Sequence, residues 1–204
     1  MSQPVKSVSK LSRSVGENLF LKGERDEGQK NAMTRRPYGP GQHGQSRRGK
    51  PSDYARQLKE KQKVRYSYYL SEEQLRRIFK IANRSQKNTG EHLLQLLELR
   101  VDNILYRCGF ASSRRQARQL VSHGHILVDG KKVKTPSYVM AVGQTIEAKK
   151  TVERETARKK EDAPTWLEVS LKGKKAKVVA VPSREQIQTT IEEQLVVEYY
   201  SRLT

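Results

Sequence analysis

A single cysteine, Cys108, in 204 residues excludes any internal disulfide and points to a reducing compartment. No apolar run approaches the roughly 20 residues that a membrane-spanning helix needs. The start, MSQPVKSVSKLSRSV, lacks the uninterrupted apolar core of a secretory signal. Its basic, serine-containing character suits an organelle transit peptide, but acids and glycines follow too soon, so the cytoplasm is expected ahead of an organelle stroma. Acids are also scarce: 22 stand against 41 lysines and arginines, leaving a formal net charge of +19. That imbalance makes a compact domain repel itself, so a polyanion is the expected partner. Nucleic acid comes first and an anionic membrane surface second. The length allows one or two modest domains rather than a large enzyme.

Catalytic signatures are missing too. There is no phosphate-cradling glycine loop, and no serine, cysteine or lysine nucleophile with a recognisable base. Of the four histidines (His43, His92, His123 and His125), the last two flank Gly124 in the manner of a metal pair. No third ligand lies close by, so donation to phosphate or capping of a helix is the expected role.

Residues 1 to 50 hold few apolar positions and no sustained period. The stretch RRPYGPGQHGQSRRGKPSD, residues 35 to 53, is too rich in glycine and proline for a helix or a central strand. It reads as a loop carrying Arg35, Arg36, Arg47, Arg48 and Lys50, an arm that follows a phosphate backbone and orders on binding. Tyr38 and His43 add flat rings that can stack on bases. Ser52 and Asp53 are good caps for a basic helix to about Arg65. Ser71 with Gln74 forms a capping box, and Leu75, Ile78, Phe79 and Ala82 recur at i, i+3, i+4, i+7, which predicts an amphipathic helix over 72–84. Leu93, Leu94, Leu96 and Leu97 predict another helix, running or bending into one over 100–108 that Gly109 ends. Cys108 closes the stripe Val101, Ile104, Leu105, Cys108, so it is expected to be a buried packing residue.

The segment SSRRQARQLVSHGHILVDGKK, residues 112–132, is the most informative. Ser113 with Gln116 reads as a second capping box and Gly124 as the helix stop. Ala117, Leu120 and Val121 face a core, while Arg114, Arg115 and Arg118 crowd another side, which is unfavourable unless an anion lies opposite. Ile126, Leu127 and Val128 read as a strand, Asp129-Gly130 as a type I-prime turn, and Lys131 onward as the return strand. Lys131 and Lys132 follow that turn, so cations bracket a compact motif at a separation suited to neighbouring phosphates of a folded RNA. Short strands are expected around Gly143 over 138–148, then a charged linker or exposed helix over 149–163. PTWLEV follows, with Trp166 in a packing role, then KVVAVP as a strand and IEEQLVVEYYSR as a terminal helix. The fold class is α+β, in three stretches: a basic, largely helical region over 1–92, a compact helix-helix-strand module over 93–156, and C-terminal strands and helix over 157–204 that pack back on the body.

Residues 98–134, from ELRVDNILYRCGF through SSRRQARQLVSHGHILVDGKKVK, resemble an RNA-binding module shared by several RNA-binding proteins and enzymes. The flanks RRPYGPGQHG, SDYARQLKEKQKVRYSYYLSEEQLRRIF, PTWLEV and IEEQLVVEYYSR resemble, in order and spacing, the family of the fourth protein of the small ribosomal subunit. That resemblance implies early, direct binding to small-subunit ribosomal RNA around a multi-helix junction, helping subunit assembly to nucleate. It also implies a position where messenger enters, beside the fifth and twelfth small-subunit proteins, and an influence on decoding accuracy. Some members of the family repress translation of their own messenger. Carried over to matching positions, the RNA face comprises Arg114, Arg115, Arg118, Gln119, His123, His125, Lys131 and Lys132, joined by Arg35, Arg36, Arg47 and Arg48 of the loop. Many relatives bind zinc through four N-terminal cysteines; the positions here are Ser9, Ser12, Asp26 and Asn31, so no structural metal is expected. Arg100-Val101-Asp102 resembles the catalytic aspartate context of pseudouridine synthases, but the separate catalytic domain those enzymes need has no room here.

Overall fold

The computed structural model describes residues 7–46, 49–149, 163–170 and 173–202. The helices are α1 (Val8–Val15), α2 (Glu24–Glu27), α3 (Ala32–Arg35), α4 (Asp53–Ser67), α5 (Glu72–Asn83) and α6 (Thr89–Glu98), with a 3-10 turn at Gln42–Gln45. Then come α7 (Val101–Arg107), α8 (Arg114–Ser122), β1 (Ile126–Val128), β2 (Lys131–Val133), β3 (Thr145–Ala148), β4 (Leu167–Ser170), β5 (Lys175–Val178) and α9 (Glu193–Ser201). The α+β class expected from the sequence is the one observed. The chain divides into two compact units, Met1–Leu93 with Thr189–Thr204, and Leu94–Gln188. The segment after residue 157 therefore contributes to both, its strands to the second unit and α9 to the first.

In the first unit, the polar N-terminus is more helical than its sequence suggested. Leu11 and Val15 of α1 are buried with Leu19 and Leu21. Apolar side chains so few in so short a helix give little periodic signal. Helix α4 begins at the Ser52 cap, whose hydroxyl accepts the Ala55 N–H at 3.3 Å. It runs two residues past the expected end and turns through Tyr69 at φ +55°, a left-handed conformation unusual for a bulky residue. The Leu70 N–H reaches the Arg65 carbonyl there at 2.9 Å, closing the helix. Its basic character is partly internal: Lys61 and Lys63 are only 4% and 3% exposed. Lys61 pairs with Glu72 at 2.9 Å and Lys63 with Glu17 at 2.8 Å, while Lys63 also donates to the Thr190 carbonyl at 2.5 Å. α9 lies along α4, where Gln57 donates to Glu198 at 2.8 Å, and Tyr200 of α9 stacks on Phe79 of α5 at 4.6 Å. The Ser71–Gln74 capping box of α5 makes both of its hydrogen bonds.

In the second unit the chain bends between α6 and α7. Arg100 is extended (φ −68°, ψ 140°), and the Val101 N–H donates to the Tyr138 carbonyl at 2.9 Å. α7 ends at Cys108, and Gly109 takes the left-handed conformation at φ +76° that the glycine stop requires. Val101, Ile104, Leu105 and Cys108 are all buried in one cluster with Trp166. The strands form one antiparallel sheet in the order β2-β1-β3-β5-β4. Ile126, Val128, Ile146, Val169, Ala176 and Val178 all point to one face and join Ala117 and Val121 of α8 in the core. That alternation is what fixes the register of such short strands.

Two details differ from expectation. Between 138 and 144 there is a loop with one bridge, Arg100 to Val139, and strand structure begins only at Thr145. β5 is displaced toward Lys175 and ends at Val178, leaving the rest of KVVAVP outside the sheet. Residues 150–162, most of the expected linker, lie outside the described residues.

Candidate nucleic-acid interface

Helix α8 leads through Gly124 into the β1–β2 hairpin. The Ser113 hydroxyl accepts the Gln116 N–H at 3.3 Å and caps the helix. The return bond of a capping box is absent: Gln116 Oε1 instead accepts from the Ser112 N–H at 2.7 Å and the Ser112 hydroxyl at 2.8 Å. The neighbouring serine is closer to the amide, so the cap spans two residues. At the other end His123 is the C-cap, Gly124 is left-handed at φ +71°, and His125 donates its N–H to the Leu120 carbonyl at 3.1 Å. The hairpin turn has φ +48° at Asp129 and +76° at Gly130, as a type I-prime turn demands. Asp129 also accepts the Thr145 N–H at 2.8 Å, which ties the turn to β3.

Gly124 does two things at once. A β-carbon there would stand 2.2 Å from Lys132 Cε, so the lysine stem lies across the glycine. This brings a strand cation to the helix C-terminus; the His123 and His125 rings on either side of Gly124 have centroids 6.2 Å apart. Arg115, Gln119, His123, Lys131 and Lys132 are exposed, and Arg118 and His125 half-buried. Among the described residues Arg115, Lys131 and Lys132 enter no ion pair.

Arg114 is held differently from its neighbours. Its Nε donates to Asn103 Oδ1 at 2.7 Å, and its guanidinium lies 4.4 Å from the Tyr106 ring centroid. Asn103 in turn donates to Glu98 Oε2 at 2.7 Å and to the Glu98 carbonyl at 3.0 Å. Glu98 is 1% exposed and also accepts two bonds from Arg107, at 2.8 and 2.5 Å. The arginine on the surface is thus set by a buried carboxylate two bonds away.

In the first unit, the RRPYGPGQHG loop is built around a residue the sequence did not single out. Arg13 of α1 donates to the Tyr38 carbonyl at 2.9 Å and the Gly39 carbonyl at 3.0 Å, and its guanidinium sits 4.9 Å from the Tyr38 ring centroid. One face of Tyr38 is therefore taken by a cation of the same chain. A β-carbon on Gly44 would stand 2.0 Å from the Gly39 carbonyl oxygen, a backbone clash with no escape. Arg35, Arg36, His43 and Lys50 are exposed on this loop, whereas Arg47 and Arg48 lie outside the described residues. The loop holds the end of α3 and a 3-10 turn, elements its composition concealed.

Residues 5–98 match the family described as ribosomal protein S4/S9 N-terminal domain, and residues 99–146 match the S4 domain. Small ribosomal subunit protein uS4 of Syntrophomonas wolfei is 48% identical over 210 residues, covering 99% of this chain and all of the relative. The uS4 protein of Thermus thermophilus is 47% identical over 209 residues, with the same coverage. The chain belongs to the uS4 family.

The four positions expected to stand where relatives bind zinc, Ser9, Ser12, Asp26 and Asn31, hold no cysteine here. Asp26 and Asn31 are buried. Asp26 Oδ2 accepts the Lys22 N–H at 2.8 Å; the Asn31 amide donates to the Asp26 carbonyl at 2.8 Å and its oxygen accepts the Met33 N–H at 2.9 Å. Ser12 is buried on α1 and Ser9 half-buried. Among the described residues no three histidines, cysteines or carboxylates are grouped to hold a metal ion. Asp102, the aspartate of the enzyme-like tripeptide, is 4% exposed and locked to Arg100 by bonds of 3.0 and 2.7 Å. It is a structural pair.

Proposed function

We propose that the chain binds small-subunit ribosomal RNA directly, through Arg114, Arg115, Arg118, Gln119, His123, His125, Lys131 and Lys132 of α8 and the hairpin. Arg35, Arg36, Tyr38, His43, Arg47, Arg48 and Lys50 of the N-terminal loop form a second contact. The chain is a structural constituent of the small subunit of the cytoplasmic ribosome and not an enzyme. Its full-length likeness to uS4 proteins supports that reading. The observation that carries the RNA assignment is the cation set Arg115, Lys131 and Lys132, without an ion pair among the described residues, on elements whose positions are fixed by caps and a tight turn. Rigid cations at fixed separations read the shape of an RNA through its phosphates. The finer reading is early binding that helps subunit assembly to nucleate, near the side where messenger enters, beside the fifth and twelfth small-subunit proteins. There the chain influences decoding accuracy and holds no structural metal.

The test replaces Arg115, Lys131 and Lys132 with alanine and measures affinity for small-subunit ribosomal RNA across salt concentrations. Each lost phosphate contact should lower the slope of log affinity against log salt by about 0.7 to 0.9. An unchanged slope with the fold intact contradicts the assignment.

A further inference from the structure

Helix α5 turns one side to the core and loads the other with cations. Leu75, Phe79 and Ala82 are buried. Arg76, Arg77 and Lys80 are exposed, as are Arg84 at the C-cap and Lys87 just beyond. Among the described residues none of these five enters an ion pair. Glu73, four residues before Arg77, is exposed at the start of the helix and likewise makes no ion pair among the described residues. Arg76, Lys80 and Arg84 recur at i, i+4, i+8, a single row of like charge rising about 6 Å per step. Such a row weakens an isolated helix. Ile81 stands among these cations at 51% exposed, although the core of the same helix is well filled.

We infer that this ridge is a further RNA-backbone surface, in which Arg76, Lys80 and Arg84 follow successive phosphates of one strand and Ile81 lies against its sugars. The inference rests on the RNA-binding reading and adds to it a third surface, on an element that neither the α8 hairpin nor the glycine-rich loop includes. The chemistry favours RNA over a protein: the centre of a protein interface is depleted of charge and anchored by aromatic side chains, whereas here one isoleucine sits among five cations. A membrane surface is disfavoured because an interfacial helix buries its apolar face in lipid, and the apolar face of α5 is already in the core.

The experiment is the full-length triple variant Arg76→Gln, Lys80→Gln, Arg84→Gln, compared with wild type and with the Arg115, Lys131 and Lys132→Ala variant. All three are assayed on small-subunit ribosomal RNA by salt-dependent binding and ribose footprinting. Thermal unfolding should not fall for the glutamine variant, since exposed like charges are being removed. The expected result is a salt slope lower by about 2 to 3 and at least tenfold weaker binding at moderate salt. Footprint protection should also be lost at nucleotides that the α8-hairpin variant leaves protected. Wild-type slope and footprint in the glutamine variant, beside a clear loss in the α8-hairpin variant, overturn the α5 surface alone. Wild-type behaviour of both overturns the RNA-binding reading with it.

Discussion

Replacing Glu98 with glutamine should be among the most damaging conservative changes available in the second unit. Glu98 Oε2 accepts from Asn103 at 2.7 Å and from Arg107 Nε at 2.8 Å, and Oε1 accepts from Arg107 Nη2 at 2.5 Å. Both oxygens face only donors here, so an amide NH2 in either orientation meets another N–H. The guanidinium of Arg107 would remain buried and lose the carboxylate it pairs with, and breaking a buried pair by removing one partner costs about 3–5 kcal/mol. For a unit of about 95 residues, 3 kcal/mol lowers the melting temperature by about 12–24 °C. The exposed pair of Lys175 and Glu147, whose side chains are 54% and 31% exposed, supplies the contrast. Lys175→Ala should cost no more than about 1 kcal/mol. Calorimetry of the two variants checks the ranking. If Glu98→Gln melts within 2 °C of wild type, the network under α8 is not what holds that unit, and Asn103 does not set Arg114.

Gly124→Ala forces a side chain into a left-handed backbone position and displaces Lys132, so it should destabilise by about 1 kcal/mol and weaken RNA binding, both read on the same purified variant. Gly44→Ala, whose β-carbon meets backbone rather than a movable side chain, should release the glycine-rich loop; limited proteolysis should then cut within 36–46, where wild type resists. Burial pushes the Cys108 thiol well above its ordinary range, so folded protein should resist alkylation at pH 8 and react only after denaturation. Because that folded value is raised, the thiol begins to favour the unfolded state only when pH climbs past the unfolded value, about 8.5; equilibrium unfolding from pH 7 to 10 should show stability falling at the alkaline end.

The module was largely legible because its boundaries are written in local chemistry. Asp129-Gly130 and Gly124 occupy positions that need positive φ, and the apolar spacing of α7 and α8 matches the buried residues. What escaped depends on partners far along the chain. Arg114 sits among arginines that look alike in sequence, yet Asn103, eleven residues earlier, fixes it to the core. Lys61 and Lys63 look like surface cations on a basic helix until Glu72 and Glu17 arrive to bury them. Arg13 gave no local signal at all, because its role exists only once Tyr38 and Gly39 fold back over it. Helix α1 was missed for a related reason: Leu11 and Val15 become a core only with Leu19 and Leu21.

The most direct measurement is competition between small-subunit ribosomal RNA and an arbitrary RNA of equal length for the purified chain, repeated over a range of ionic strength. Cations fixed in place by caps, turns and a buried network predict that ribosomal RNA wins at every salt concentration, with the margin preserved as overall affinity falls. Equal preference for the two RNAs throughout would contradict the account.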